Sequence, residues 1–403
     1  MRFSQIASTI CESPTLRLNQ VAARLRAAGE PVIHLGGGEP VTLAPPEAVR
    51  AAVDYVSTGA VRYAPAAGLP EMRAAIAADH ARVYGVHPDP AHVIATGGAK
   101  QAIMLAMYAL IDPGDEVLFP CPYWVSYPEM VKLAGGVPKP IVPADPQFHV
   151  TAAEIEAQLT PRTRMLLINS PNNPCGALLA EHLIRDIVSL CEQRGIWLVM
   201  DDIYHQLVFD GRSAPNPYAT AAAIDDSRLI VVNGVSKTYA MTGFRLGWAV
   251  AARELVGVMA SIQGQQTSGP SSVSQHAAIG ALRGAQDGVR QLAESLQRNR
   301  GVMMECLARI PKARCTPPDG TFYCFPDFSA YEPDSVTLSN LLLEHARVVS
   351  VPGRDFGVEG RLRLSTCGST DDIVEGVDRI RWFLDPAGPN TRPAGATTLR
   401  KPA

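Results

Sequence analysis

The sequence is short of several features, and each shortage removes a class of function. Basic residues are not in excess: 36 Lys and Arg stand against 39 Asp and Glu, a formal net charge of -3. That leaves no electrostatic footprint for nucleic acid, and no nucleic-acid partner is expected. The longest apolar run, Ala102 to Ile111, falls well below the roughly 20 residues that a membrane span needs, so no membrane association is expected. The opening MRFSQIASTICESP lacks a basic stretch followed by a long apolar one, so no secretory signal is expected either. Eight cysteines, Cys11, Cys121, Cys175, Cys191, Cys306, Cys315, Cys324 and Cys367, include no C-x-x-C pair. They suit neither a zinc site nor a disulfide framework, and no metal is expected. These readings together describe a cytoplasmic protein that handles small molecules.

What is present is a globular composition, 47% hydrophobic and 19% charged, over 403 residues. That length suits a large domain with a smaller companion. From about residue 45 to 295, short apolar runs repeatedly precede a polar or glycine-rich loop and then a helix-like segment, the pattern of alternating strands and helices. The runs HVIAT (92–96), EVLFP (116–120), RMLLIN (164–169), WLVMD (197–201) and LIVVN (229–233) are mostly apolar throughout, as strands covered on both faces should be. The expectation is an α/β fold with a mostly parallel sheet. The loops after these runs read GGAK, CPYW, SPNNP, DDIY and NGVSK. Ligands of open α/β sheets sit at the carboxyl ends of strands, so five such loops describe one site.

Beyond about residue 300 the texture changes. A helix-like segment, Arg290 to Arg309, leads to TFYCF (321–325), RVVSVP (347–352), RLRLST (361–366) and a periodic helix from Asp371 to Leu384. These are expected to form a small α+β domain of residues 296–384, completed by residues 1–44, beside a large domain of residues 45–295. Residues 385–403, rich in proline, glycine and threonine, are expected to be a disordered tail.

Lysine is scarce, with only six in the chain: Lys100, Lys132, Lys139, Lys237, Lys312 and Lys401. Lys237 directly follows a buried strand end, where desolvation or neighbouring cations would lower its pKa and leave an amine able to condense with an aldehyde. Arg245, in TGFRLG, can grip a phosphate bidentately. The GGAK segment, with Gly98, Ala99 and Lys100, opens a helix and presents free N–H groups to an anion. A lysine for an aldehyde and an anion cup for a phosphate imply pyridoxal 5'-phosphate. That cofactor needs a carboxylate beside its ring nitrogen, and Asp201, ending WLVMD, is the candidate; a lone aspartate there would read as a helix cap. Asp202 is expected to face away, because neighbours at a strand end point to opposite sides. Tyr204 and Asn173 can hydrogen-bond the ring oxygen, although tyrosine also packs and N-N-P also turns. Trp124 offers a flat face for stacking, or simple core packing.

Taken together, SPNNPCG, DDIY, NGVSKTYAMTGFRLGW, GEP (38–40) and RLRLS resemble the fold-type I, class I/II aminotransferases, especially their bacterial aspartate/prephenate branch. The resemblance runs from about Ser13 to Phe383. It implies a mostly parallel, seven-stranded-type sheet, and an enzyme moving an amino group between an L-amino acid, with aspartate or glutamate favoured, and a 2-oxo acid. It implies that Lys237 forms the internal aldimine, that Asp201 pairs with the pyridine nitrogen, and that Tyr204 and Asn173 bind the ring oxygen. Trp124 would stack on the ring, with Ala99, Lys100 and Arg245 around the phosphate and Gly38 and Arg363 on the substrate α-carboxylate. Tyr63, in RYAPAAG, would reach the phosphate of a neighbouring subunit, which implies a homodimer. Lys100 in GGAKQ, with Ser13 and Thr15 of ESPT, matches the elements with which that branch reads a distal carboxylate. Residues 262–282 contain no arginine, which closes another branch's route to the same end.

There are departures from the pattern. Cys175 and Asp202 stand where threonine and glutamate are usual, at positions without chemistry. Gly234 stands where many relatives have a phosphate-binding serine, which leaves Ser236 to supply that hydrogen bond or leaves it unmade. Val41 and Thr42 follow Pro40 in place of the usual acidic residue. A β-lyase, decarboxylase or oxidase on the same fold is the alternative reading. The aminotransferase-like effector domain of a transcription regulator is a more distant one, disfavoured because no basic helix-turn-helix segment precedes residue 45.

Overall fold

A computed structural model describes residues 4–10 and 14–385. Ser13 and residues 386–403 lie outside the described residues, as does the side chain of Thr15. The tail expected at 385–403 therefore falls almost wholly outside them.

The centre is a seven-stranded sheet. In order across it lie Val93–Thr96, Gly247–Val250, Leu229–Gly234, Trp197–Asp201, Thr163–Asn169, Glu116–Pro120 and Val137–Ile141. All neighbours pair in parallel except Gly247–Val250, which is antiparallel to both of its neighbours. The α/β architecture with a mainly parallel sheet is the one expected from the sequence.

Alternation along each strand sends successive side chains to opposite faces. Val199, Ile230 and Val232 therefore join one core with helices Ala99–Leu110 and Arg253–Thr267. Leu198, Met200 and Val231 join another with helix Glu181–Arg194. Burial of each such side chain is worth about 1.5–3 kcal/mol, which is why these strands show no polar residue until they end. Glu181–Arg194 stops at Gly195, whose φ of 67° turns the chain back into Trp197–Asp201, a conformation glycine adopts without strain.

A second, smaller set of strands holds Arg363. Leu362–Ser365 lies between Val351–Pro352 and Tyr323–Cys324 in an antiparallel sheet, and Ile33–His34 pairs in parallel with Val348–Val349. The N-terminal segment is thereby tied to the C-terminal part of the chain. Helices Asp287–Leu307 and Thr370–Leu384 pack beside these strands. Asp287–Leu307 is continuous across position 295, with Val289 in a core of the large sheet and Met303, Cys306 and Leu307 in the core of the small one.

The topology gathers the functional loops. Asp201 ends its strand in register with Asn169 on one side and Val232 on the other. Gly247 enters the same edge opposite Thr96 and Gly234. A Cβ on Gly247 would overlap the backbone nitrogen of Ala99, and one on Gly234 would come within 2.9 Å of the Leu246 carbonyl oxygen. No side chain fits at position 234, because the two strands meet there backbone to backbone.

Candidate active site

A cavity of about 470 Å³ opens at the carboxyl edge of the large sheet, within the size range of small-molecule and cofactor sites. Gly38, Ala99, Lys100, Trp124, Asn173 and Asp201 line it, and so do Tyr204, Ser236, Lys237, Arg245 and Arg363. Tyr63 does not. Its side chain is 94% exposed.

Lys237 follows strand Leu229–Gly234 by three residues, so its half-buried stem rises from the sheet edge and its Nζ donates to the Gly38 carbonyl at 2.6 Å. Loss of hydration lowers its pKa to about 8; nearby Glu39 opposes the fall, and the charges of Arg363 and Arg245 add to it. A neutral amine is therefore within reach near physiological pH.

Asp201 is buried at the strand end. Its Oδ2 accepts from the Tyr127 hydroxyl at 2.6 Å, and Oδ1 takes the Ile203 N–H at 3.4 Å. Burial pushes its carboxyl up to about 6, while Tyr127, Ile203 and the Lys237 charge pull the other way. No arginine or lysine forms an ion pair with it among the described residues, and the Lys237 charge only partly offsets the cost of burying the carboxylate. Asp202 turns from it to accept from the Tyr84 hydroxyl at 2.6 Å.

The opposite wall carries a buried guanidinium. Arg363, 3% exposed, donates from Nη1 to Asn173 Oδ1 and from Nη2 to the Gly36 carbonyl, both at 3.0 Å. Its Nε is buried without a partner, and its guanidinium lies 4.2 Å from the Tyr323 ring centroid. A planar cation lining a cavity suits a carboxylate.

A second anion seat lies at the start of helix Ala99–Leu110, where Gly98 (φ 93°) leaves the first N–H groups free. Arg245, itself in the left-handed region at φ 50°, donates from Nη1 to the Thr242 carbonyl at 2.9 Å and closes against Gly98. A Cβ at position 98 would approach Arg245 Nη2 to 2.6 Å, so only glycine leaves the guanidinium its place. Lys100 Nζ lies 4.7 Å from the Trp124 ring centroid, and burial, then the Arg245 charge, lower its pKa.

Further residues that sequence reasoning did not select join the site, among them five with polar side chains placed to act on it. Asn19, Glu39, Asn169 and Tyr323 line the cavity, and Tyr127 holds Asp201. Glu39 lies within the GEP motif and Tyr127 within CPYWVSY. Asn169, closing RMLLIN, carried the one usable signal, a polar residue ending an otherwise apolar buried strand.

The family described as aminotransferase class I and II matches residues 30–380. The chain belongs to that family. It is an aminotransferase, an enzyme, as the motifs led us to expect. It is 40% identical over 398 residues to an aspartate aminotransferase of Streptomyces avermitilis, covering 96% of this chain and 97% of the relative. It is 38% identical to a probable aspartate/prephenate aminotransferase of Aquifex aeolicus, covering 93% and 96%. Among solved structures, the aspartate aminotransferase of Thermus thermophilus with maleate superposes with a TM-score of 0.89 at 35% identity, covering 94% of this chain and 99% of that one. The Rhizobium meliloti aspartate aminotransferase gives a TM-score of 0.90 at 36% identity, covering 94% and 98%. The aminotransferase reaction requires an amino acid and a 2-oxo acid as substrates.

Proposed function

We propose that this aminotransferase uses pyridoxal 5'-phosphate and prefers dicarboxylic substrates, aspartate or glutamate as amino donor. The observation that carries the cofactor is the convergence on one cavity of three groups: the Lys237 amine, the buried Asp201, and the anion seat of Ala99 and Arg245, which Gly98 adjoins without lining the cavity. Each matches one part of the group: aldehyde, ring nitrogen and phosphate. When bound, the cofactor supplies an aldehyde that exchanges amines and a ring that accepts the electron pair released at the substrate Cα.

The protein does the rest. Asp201 stabilises a proton on the ring nitrogen, with Tyr127 fixing its carboxylate. Ser236, Arg245 and the helix start hold the phosphate, while Tyr204 and the free amide nitrogen of Asn173 serve the ring oxygen. Trp124 covers the ring face. Arg363, with Gly38, orients the substrate by its α-carboxylate. Lys237 Nζ, once free, is the basic nitrogen placed to take the Cα proton and return it.

Lys100 supports the choice of dicarboxylate. It is an exposed cation beside Trp124 at the cavity, and the relatives are named for aspartate or for aspartate and prephenate. One matched structure carries maleate, itself a dicarboxylate. Glutamate formation from aspartate and 2-oxoglutarate is the direct assay; pyruvate and ammonia appearing without an acceptor would assign a lyase instead. In Lys100→Ala, kcat/KM should fall for acidic substrates by roughly one to two powers of ten, the loss of one charged hydrogen bond, while aromatic and neutral amino acids change little. An equal fall for all substrates, or weaker cofactor retention, would return Lys100 to the phosphate seat.

We also propose a homodimer. Val41, Leu43, Val49, Val53, Val56, Val61 and Tyr63 are 46 to 94% exposed and fall within 23 residues of sequence. Exposed apolar side chains concentrated in one stretch of chain suit a contact surface, and a second copy of the chain would cover them and carry Tyr63 toward the neighbouring cavity. Sedimentation as a monomer at micromolar concentration would overturn this. A cytoplasmic location belongs to the same proposal, supported by seven described cysteines that are all free.

A further inference from the structure

Asn169 is the last residue of strand Thr163–Asn169 and only 8% exposed. Its carboxamide is used at both ends. Nδ2 donates to the backbone carbonyl of Asp201 at 2.8 Å, and Oδ1 accepts the backbone N–H of Asn173 at 2.8 Å. Asn173 in turn offers its side-chain oxygen to Arg363 Nη1 at 3.0 Å. One unbroken chain of hydrogen bonds thus runs from the strand bearing the ring-nitrogen carboxylate to the guanidinium that faces the substrate carboxylate.

That chain also crosses between sheets. Asp201, Asn169 and Asn173 belong to the large sheet and its loop, whereas Arg363 stands on the small sheet, in strand Leu362–Ser365. The loop has other tethers. Asn172 Nδ2 donates to the Pro122 carbonyl and the Leu179 N–H to Ser170 Oγ, both at 3.0 Å, and the Gly176 N–H to the Asn172 carbonyl at 2.8 Å. None of these reaches strand Trp197–Asp201. Among the described side-chain hydrogen bonds, the Asn169 carboxamide alone joins the Asn173 loop to that strand.

We infer that Asn169 is a positioning residue for amino transfer, setting the separation between Asp201 and the Asn173–Arg363 pair. The inference rests on the cofactor reading above. With Asp201 holding one end of the ring and Arg363 one end of the substrate, that separation decides how the Cα–H bond is presented. Small misplacements of this kind lower turnover more than binding. Serine cannot span both partners. Aspartate keeps the acceptor for the Asn173 N–H but sets an oxygen against the Asp201 carbonyl.

The test is a double-mutant cycle on the holoenzyme between Asn169→Ser and Asn173→Ala, read by kcat with aspartate and by the dissociation constant for maleate from the cofactor's absorbance. Asn169→Asp serves as the second variant should serine fail to fold. We expect either Asn169 variant alone to lower kcat by roughly tenfold while KM moves less than about threefold, and to add little once Asn173 is already alanine. Losses in kcat or maleate affinity that simply multiply across the cycle would overturn the inference. So would wild-type kcat in a variant that only melts earlier, because that describes a strand cap. A wild-type enzyme that takes up no pyridoxal 5'-phosphate, seen as no cofactor absorbance, would overturn the cofactor reading instead, and the maleate arm of the cycle does not depend on turnover.

Discussion

Lys237→Ala will retain a folded protein and lose amino transfer by well over the roughly 10²–10⁴-fold that a general acid–base group contributes, because both the covalent attachment and the proton carrier disappear. The variant should still retain cofactor non-covalently through the seat formed by Arg245 and the start of helix Ala99–Leu110, so binding and catalysis separate. The absorbance of lysine-bound cofactor will be missing. The wild-type amine has a matching pH signature. With its pKa drawn down to about 8 by burial, about a tenth of it is neutral at pH 7, against well under a thousandth for an ordinary lysine. Capture of added cofactor by the cofactor-free enzyme should therefore accelerate as pH rises through 8 and then level off. Acceleration beginning only near pH 10 would show that Lys237 is a solvated lysine, and near-wild-type turnover in the alanine variant would remove it from the mechanism.

Asp201→Asn should lower kcat by roughly 10²–10³-fold, the scale of losing one preorganised electrostatic partner, without unfolding the protein. The amide keeps the shape and the Tyr127 contact but cannot stabilise a charged ring nitrogen. Stability supplies an independent readout. Burial raises the carboxyl in the folded, cofactor-free protein from its usual 3.8 to about 6. The folded state then holds a proton that the unfolded state has released, so this stabilisation is full below about pH 4 and lost as pH rises through 6. Cofactor-free wild type should lose melting temperature relative to the asparagine variant as pH rises from about 4 through 6, and cofactor should reverse that loss in wild type alone. An asparagine variant that transaminates at the wild-type rate would reduce Asp201 to a strand end.

The strands legible in the sequence were those buried on both faces. WLVMD and LIVVN have no choice but to sit inside a sheet, and they do. Val137–Ile141, reading VPKPI, was not legible: it is an edge strand with two prolines and a lysine, partly exposed. Gly247–Val250 was hidden because it begins with a glycine inside a motif already read for chemistry. RVVSVP looked like one strand but is two, Val348–Val349 and Val351–Pro352, pairing into different sheets on either side of Ser350. The candidate site divides along similar lines. Lys237, Asp201, Arg245 and Arg363 stood out as charges at the ends of apolar runs, and the structure brings them to one cavity. Tyr127 and Asn169 did not, because a buried tyrosine or asparagine that positions another group looks in sequence like one that merely packs or turns.

The two ends of the cavity are built from different kinds of structure, and this bears on how such an enzyme diversifies. The end around Asp201 and Gly234 is woven into a seven-stranded ladder in which even a methyl at position 234 has no room. The end around Asn19 and Lys100 stands on two helices at the rim. A lineage, or a mutant library, can therefore trade one amino donor for another by changing rim residues one at a time, while the inherited chemistry stays locked in the sheet.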